Sequence, residues 1–121
     1  MPKPRILIAD DEEGIRESLS LILEDEYELV FAADGQAAFD QASKGRFDLV
    51  LLDIKMPKLD GLEVMKRLKQ QGSQVPVLVL TAYQSVELAH EAVRLGAADY
   101  LPKPFEREQI LQAVREAFIR K

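Results

Sequence analysis

The stretch LVLLDIKMP, residues 49–57, places a charged residue directly after a run of four apolar ones. Residues 49–52 have the length and composition of a strand that is buried on both faces, as strands of parallel sheets are. Asp53 then brings a carboxylate that is costly to bury without a partner. The stretch therefore predicts a buried central strand whose carboxyl end meets other polar groups.

Similar apolar runs recur along the whole chain. Four more have strand length and are rich in Val, Ile or Leu, at residues 5–9, 27–32, 76–80 and 98–101. Segments with apolar residues at helical spacing separate them, for example Ile15, Leu19 and Ile22. This strict alternation predicts an α/β fold with a doubly wound, five-stranded parallel sheet and helices on both faces.

Turn and capping residues support these boundaries. Gly45, Gly72 and Gly96 follow three of the helical segments, where a left-handed closing residue is expected. Asp34 and Asp60 precede two of them and are predicted N-caps.

Length and composition exclude several classes of protein. The 121 residues fit a single domain, residues 1–121. The 16 basic against 21 acidic side chains argue against a nucleic acid or membrane surface as a partner. The chain has no cysteine, so disulfides and thiolate metal sites do not apply. No apolar run reaches the length of a signal-peptide core or a membrane span, which predicts a soluble, cytoplasmic protein.

Polar residues follow four of the five predicted strands. Asp10 and Asp11 follow the first, Asp53 the third, Thr81 the fourth and Lys103 the fifth. In sheets of this kind the functional crevice lies beyond the carboxyl ends of the strands. These side chains are therefore expected to meet at one edge.

Three carboxylates at one edge repel each other and favour a bound cation. Mg²⁺ prefers oxygen ligands and keeps some of its waters. Asp11 and Asp53 suit direct ligation, and Asp10 suits contact through water, with Mn²⁺ as the alternative ion. Lys103 and Thr81 suit the oxygens of a phosphoryl group, and Asp53 suits a nucleophile that forms an aspartyl phosphate.

Each residue also has a simpler interpretation when it is taken alone. The run DDEE, residues 10–13, is typical of a helix N-terminus. Asp53 would suit a turn, Thr81 a helix cap and Lys103 a solvated loop. Because the predicted fold brings all of them to one edge, a shared metal and phosphoryl site is favoured over these separate roles.

The chain resembles the receiver domain of two-component response regulators over essentially its whole length. The motifs that carry this resemblance stand in the family's order, and they are ILIADDEE (6–13), DLVLLDIKMPKLDG (48–61), VLVLTAY (77–83) and GAADYLPKPF (96–105). The resemblance implies a flavodoxin-like strand order of 2-1-3-4-5. It also implies that Asp53 accepts a phosphoryl group from a sensor histidine kinase or a histidine phosphotransfer protein.

The resemblance assigns further roles around the acceptor. The backbone carbonyl of Lys55 would be an additional magnesium ligand. Thr81 and Tyr100 would form the switch, and the Lys103–Pro104 bond would be cis. The side chains of Lys55 and Tyr83 would border the path of the water that hydrolyses the aspartyl phosphate.

The resemblance also implies two partner surfaces. Phosphodonor proteins would dock near Ile15, Ser18, Leu21 and Phe105, although Ile15 also suits a core position. A downstream protein or an effector domain would read the face formed by the fourth helix, fifth strand and fifth helix.

The sequence also bears on the subclass of receiver and on two alternative functions. Receivers of the OmpR type usually carry a basic residue where this chain has Ala113, which favours nitrogen-regulator-type or stand-alone phosphorelay receivers. The alternative function is a small phosphohydrolase with an aspartyl-phosphate intermediate, but those enzymes carry an acid–base Asp where this chain has Lys55. Flavin binding is a weaker alternative, because the acidic loop after the first strand would repel a flavin phosphate.

Overall fold

A computed structural model describes residues 2–82 and 85–119, and Tyr83 lies outside them. Five strands alternate with five helices over these residues. In chain order they are β1 (Arg5–Ala9), α1 (Glu13–Leu23), β2 (Glu28–Ala32), α2 (Gly35–Lys44), β3 (Leu49–Leu52), α3 (Gly61–Gln70), β4 (Val77–Thr81), α4 (Val86–Arg94), β5 (Asp99–Pro102) and α5 (Arg107–Ile119).

The five strands form one sheet in the order β2-β1-β3-β4-β5, with every neighbouring pair parallel. The predicted fold class and strand order are therefore confirmed. The predicted strand bounds differ from the observed ones by at most one residue at either end.

Side chains of successive strand residues point to opposite faces of the sheet and create two cores. One core joins alternate residues of the central strands, such as Ile8 and Leu51, to α1 and α5. The other joins their neighbours, such as Leu7 and Val50, to α2, α3 and α4. Because both faces are covered, all four residues of β3 are buried, as their continuous apolar run predicts.

The capping predictions are confirmed with one exception. The carboxylates of Asp34 and Asp60 each accept a hydrogen bond from a backbone N–H at the start of a helix. Gly72 and Gly96 have φ values of 81° and 95°, as left-handed closing residues should. Gly45 does not, because its φ is −91° and the chain leaves α2 in an extended conformation. A Cβ at Gly45 would collide with the Phe47 ring, so close packing explains the glycine there.

Among the described residues, no helix combines the length and apolar character that a membrane span requires.

Candidate functional site

The carboxyl ends of the strands bring the predicted site residues together. Beyond the strand ends the backbone ladder continues for one more residue, because the N–H of Asp10 donates to Ala32 and that of Asp53 donates to Ala9. The N–H of Lys103 likewise donates to the carbonyl of Thr81. These bonds fix the backbone from which the polar side chains extend.

The ammonium of Lys103 lies at the centre of the site and contacts three carboxylates. Its Nζ is 2.7 Å from Oδ2 of Asp10, 3.1 Å from Oδ2 of Asp53 and 3.3 Å from Oε1 of Glu12. An ammonium has three N–H donors, so each donor has one acid as its partner. Lys103 is only 8 % exposed, and the alternative of a solvated loop lysine is wrong.

Backbone donors orient the two buried carboxylates. Oδ1 of Asp10 accepts the N–H of Glu12 at 2.9 Å, and Oδ1 of Asp53 accepts the N–H of Ile54 at 2.8 Å. Each aspartate therefore offers one oxygen to the backbone and the other to Lys103. The carbonyl of Asp10 also accepts a hydrogen bond from Nη1 of Arg16, which ties the loop to α1.

Burial and ion pairing change the pKa values of Asp10 and Lys103. Burial raises the pKa of the Asp10 carboxyl above its ordinary value, although the hydrogen bond from Lys103 opposes it. Burial alone would lower the pKa of the Lys103 ammonium, but the hydrogen bonds and charges of Asp10 and Asp53 outweigh it and raise that pKa. Lys103 is therefore charged at neutral pH.

The donor set fits a hard divalent cation. One carboxylate oxygen from each of four residues, Asp10, Asp11, Glu12 and Asp53, lies within 4.8 Å of the others. Mg²⁺ and Mn²⁺ both accept carboxylate oxygens, whereas softer metals prefer sulfur or imidazole. Asp11 is exposed and can turn its carboxylate toward an ion without losing a buried contact.

Glu12 is a member of the site that sequence reasoning missed. It stands at the N-cap position of α1, but its side chain makes no capping hydrogen bond there. Its carboxylate instead contacts Lys103, which lies 91 positions further along the chain. Its position directly after the aspartate pair was the only sequence signal, and a role at the helix terminus explains that position equally well.

The loop after β3 is packed tightly under the acceptor. The N–H of Gly61 donates to the carbonyl of Ile54 at 2.7 Å. A Cβ at Gly61 would collide with the carbonyl oxygen of Asp53, so only glycine fits this approach. The backbone of Asp53 is therefore held by β1 on one side and by the start of α3 on the other.

The remaining predicted residues lie around this centre. Thr81 is fully buried at the end of β4. It does not cap α4, because that role belongs to Ser85. Tyr100 is partly buried in β5 against the core beneath α4. Lys55 is exposed two positions beyond Asp53, and the Lys103–Pro104 bond is cis as predicted.

The residues predicted to meet a phosphodonor protein lie on and near α1. Ile15 and Phe105 are partly buried against the same core, whereas Ser18 is exposed. Leu21 is also exposed, at 71 %. Their part in binding stays a prediction.

Comparison with known proteins gives a consistent result. The family model of the response regulator receiver domain matches residues 6–115. The response regulator MprA of Mycolicibacterium vanbaalenii is 46 % identical over 112 residues, which are 92 % of this chain and 48 % of that protein. This chain spans about half the length of the curated relatives it matches.

Solved structures agree with this similarity. The receiver domain of the Francisella response regulator 1452 is 31 % identical, with a TM-score of 0.91 over 98 % of both chains. A CheX–CheY complex with BeF3 and Mg²⁺ from Borrelia burgdorferi contains a chain that is 27 % identical, with a TM-score of 0.92 over 97 % of this chain and 90 % of that one.

Proposed function

Since this chain belongs to the family of response regulator receiver domains, we propose that residues 1–121 form one receiver domain that accepts a phosphoryl group on Asp53. The observation that carries this proposal is the buried contact between the Asp53 carboxylate and the Lys103 ammonium at 3.1 Å. A nucleophile beside a fixed cation suits the transfer of an anionic group, because the cation offsets the charge that arrives.

The transfer itself is a displacement at phosphorus. Oδ2 of Asp53, which faces Lys103, attacks the phosphorus of a phosphohistidine on the donor protein. The phosphorus–nitrogen bond breaks, and its electron pair stays on the imidazole of the donor. Lys103 and the hydroxyl of Thr81 then bind oxygens of the phosphoryl group.

A divalent cation completes the proposed site. We assign Asp11 and Asp53 as direct ligands, Asp10 as a ligand through water and the carbonyl of Lys55 as a further one, with Mg²⁺ as the ion and Mn²⁺ as its substitute. Bound by these residues, such an ion would supply positive charge that offsets the charge of the acceptor and of the incoming phosphoryl group. The cluster of carboxylate oxygens supports this assignment, as does the Mg²⁺ in the Borrelia complex.

Phosphorylation is proposed to act through Thr81 and Tyr100. Thr81 ends β4, and Tyr100 lies on the neighbouring strand, where it pairs with Val79. A movement of Thr81 toward the phosphoryl group would vacate space that Tyr100 can fill. The face formed by α4, β5 and α5 would then change for a downstream protein or an effector domain.

We propose a histidine kinase or a histidine phosphotransfer protein as the phosphodonor, with docking near Ser18 and Leu21. Such signalling places the chain in the cytoplasm, without direct contact to nucleic acid or a membrane. Ser18 and Leu21 are both exposed on α1 and are therefore accessible to such a partner.

The chain is a signalling receiver rather than a true enzyme, as its family and its relatives indicate. The phosphohydrolase alternative is therefore not retained. Any loss of phosphate from Asp53 would be a slow autophosphatase reaction.

The relatives do not support the expected subclass. The MprA proteins belong to the OmpR type, whereas the expectation drawn from Ala113 disfavours that type. Ala113 is a buried residue of α5 and packs against the core. We therefore propose that the chain is nearer to the OmpR type and that its lack of a basic residue at this position is a local departure.

The test is phosphorylation by a small-molecule donor. After incubation with acetyl phosphate and Mg²⁺, intact mass spectrometry should show one added phosphoryl group on the wild type and none on Asp53→Asn. Asp25→Asn is the matched control, because Asp25 is exposed in the turn after α1 and should leave uptake unchanged. Undiminished uptake by Asp53→Asn would overturn the assignment.

A further inference from the structure

Glu12 contacts the Lys103 ammonium from the rim of the site. The Glu12 side chain is 61 % exposed, whereas the side chains of Lys103 and the two aspartates that bind it are at most 6 % exposed. Glu12 therefore holds the buried ammonium from the solvent side, and among the described residues it is the one carboxylate partner of Lys103 that the proposed cation ligands do not include.

Lys103 and a divalent cation compete for the same oxygens. The ammonium is bound to Asp10 and Asp53, and both are ligands in the proposed function. A cation that binds there weakens these contacts, because the ammonium and the ion repel each other. The free energy of cation binding therefore includes the cost of moving Lys103.

We infer that Glu12 is a positioning residue for Lys103, which retains the ammonium beside Asp53 when a divalent cation takes over the aspartates. With Glu12 present, the displaced ammonium keeps a carboxylate partner. Without it, both remaining carboxylate partners of Lys103 among the described residues are proposed ligands of the cation, which must then overcome the contacts of Lys103 with Asp10 and Asp53. This inference rests on the cation of the proposed function.

Two substitutions distinguish the effect of the Glu12 charge from the effect of its side-chain length. Glu12→Gln removes the charge, and Glu12→Asp keeps the charge but shortens the side chain by one methylene. Glu13 is the matched control, since it is the next residue, is exposed and lies outside the cluster of oxygens. Urea unfolding in the presence of a chelator checks that each variant is folded without metal, and Glu12→Asp should be at least as stable as the wild type there, because Asp is a favoured residue at the N-cap of α1.

The experiment is a titration of the full chain with MgCl2, followed by backbone amide chemical shifts. We expect Glu12→Gln and Glu12→Asp each to raise the Mg²⁺ dissociation constant about two- to fivefold, while Glu13→Gln leaves it near the wild-type value. Wild-type affinity in Glu12→Asp would overturn the inference, because charge alone would then account for the effect. Equal affinities of Glu12→Gln and Glu13→Gln would overturn it as well.

A second comparison uses a background without the ammonium. In Lys103→Met, the further change Glu12→Asp should leave the Mg²⁺ affinity unaltered, because Glu12 acts through Lys103. An effect of Glu12→Asp that survives in this background would assign Glu12 to the cation itself and overturn the inference. A wild type without any response to Mg²⁺ would overturn both the proposed cation and this inference, whereas a normal wild-type response with unchanged Mg²⁺ affinity in the Glu12 variants would overturn the inference alone.

Discussion

At the scale of single residues, the site is an excess of negative charge around one buried ammonium. Four carboxylates approach each other within 4.8 Å, and Lys103 neutralises only part of their charge. The remaining repulsion is tolerated because Asp11 and Glu12 are exposed to water, while the two buried aspartates accept backbone hydrogen bonds. Such a cluster should gain stability from a divalent cation.

Asp11→Ala should remove most of the stabilisation that Mg²⁺ confers. At a Mg²⁺ concentration one hundred times the dissociation constant, the wild type should gain about 2.7 kcal/mol of unfolding free energy. Loss of a direct ligand should reduce this gain to about 1 kcal/mol or less at the same concentration. Urea unfolding with and without Mg²⁺ measures both values.

The control for Asp11 is Asp25→Ala, which removes an exposed carboxylate far from the cluster and should keep the full response to Mg²⁺. If Asp11→Ala responds to Mg²⁺ as the wild type does, Asp11 is not a direct ligand.

At the scale of elements, the site depends on loops that other elements hold in place. The loop between β3 and α3 contacts the start of α2, because the N–H of Gly35 donates to the carbonyl of Pro57. The Lys58 ammonium also lies 3.6 Å from the Asp34 carboxylate, which caps α2. The position of Asp53 therefore depends on the packing of α2 and α3 as well as on the sheet.

Gly61→Ala should destabilise the fold by about 2 kcal/mol or more, because its Cβ would collide with a backbone atom of Asp53 that cannot rotate away. It should also weaken the response to Mg²⁺, since Asp53 must shift. Gly14→Ala is the matched control in α1, where a Cβ meets no atom within 4 Å. That variant should be at least as stable as the wild type, because alanine favours the helix over glycine. Urea unfolding that gives both variants the same stability would contradict this account of Gly61.

The Asp34 cap predicts a dependence of stability on pH. The hydrogen bond from the N–H of Ala37, together with the nearby Lys58, lowers the pKa of Asp34 below its ordinary value of 3.8. A lowered pKa in the folded state contributes stability above pH 3.8, and this contribution is lost as the pH falls through the folded-state pKa. Asp34→Asn keeps a capping side chain but removes the titration.

The advantage of the wild type over Asp34→Asn should therefore shrink as the pH falls below 3.8. Urea unfolding of both proteins across this range measures the difference. A difference that stays constant as the carboxyl is protonated would show that the ionised form makes no contribution.

At the scale of the whole molecule, the acceptor and the proposed output face belong to the same sheet. Asp53 follows β3, and Tyr100 lies two strands away on β5, with β4 and Thr81 between them. In the proposed switch, a change at the acceptor would pass through β4 to the face formed by α4, β5 and α5. Phosphorylation needs to favour the active arrangement by only a few kcal/mol to change the dominant state.

Phosphorylation of Asp53 should therefore shift the backbone amide resonances of Tyr100 and of α4, in addition to those of the acceptor loops. The same phosphodonor applied to Asp53→Asn should leave all of them in place. Shifts that stop at the residues around Asp53, with Tyr100 and α4 unchanged, would argue against a switch through β5.

The sequence by itself determined the alternation of strands and helices, most of the caps and the residues that end each strand. These features depend on neighbours within a few positions, where periodicity and capping chemistry act. Asp10, Asp53, Thr81 and Lys103 could be placed at one edge for the same reason, since each directly follows or ends an apolar run. The order of the strands was available only through family resemblance, because local patterns do not say which parallel strands are neighbours.

Only the tertiary structure decided how these side chains pair. Glu12 and Lys103 are separated by 91 positions, and no local pattern predicts that the ammonium takes this carboxylate as its third partner. The same holds for Gly61, where no side chain fits because the packed loop brings the carbonyl oxygen of Asp53 against it. Contacts of this kind depend on which surfaces the folded chain places together, and that information exists only once the elements have packed.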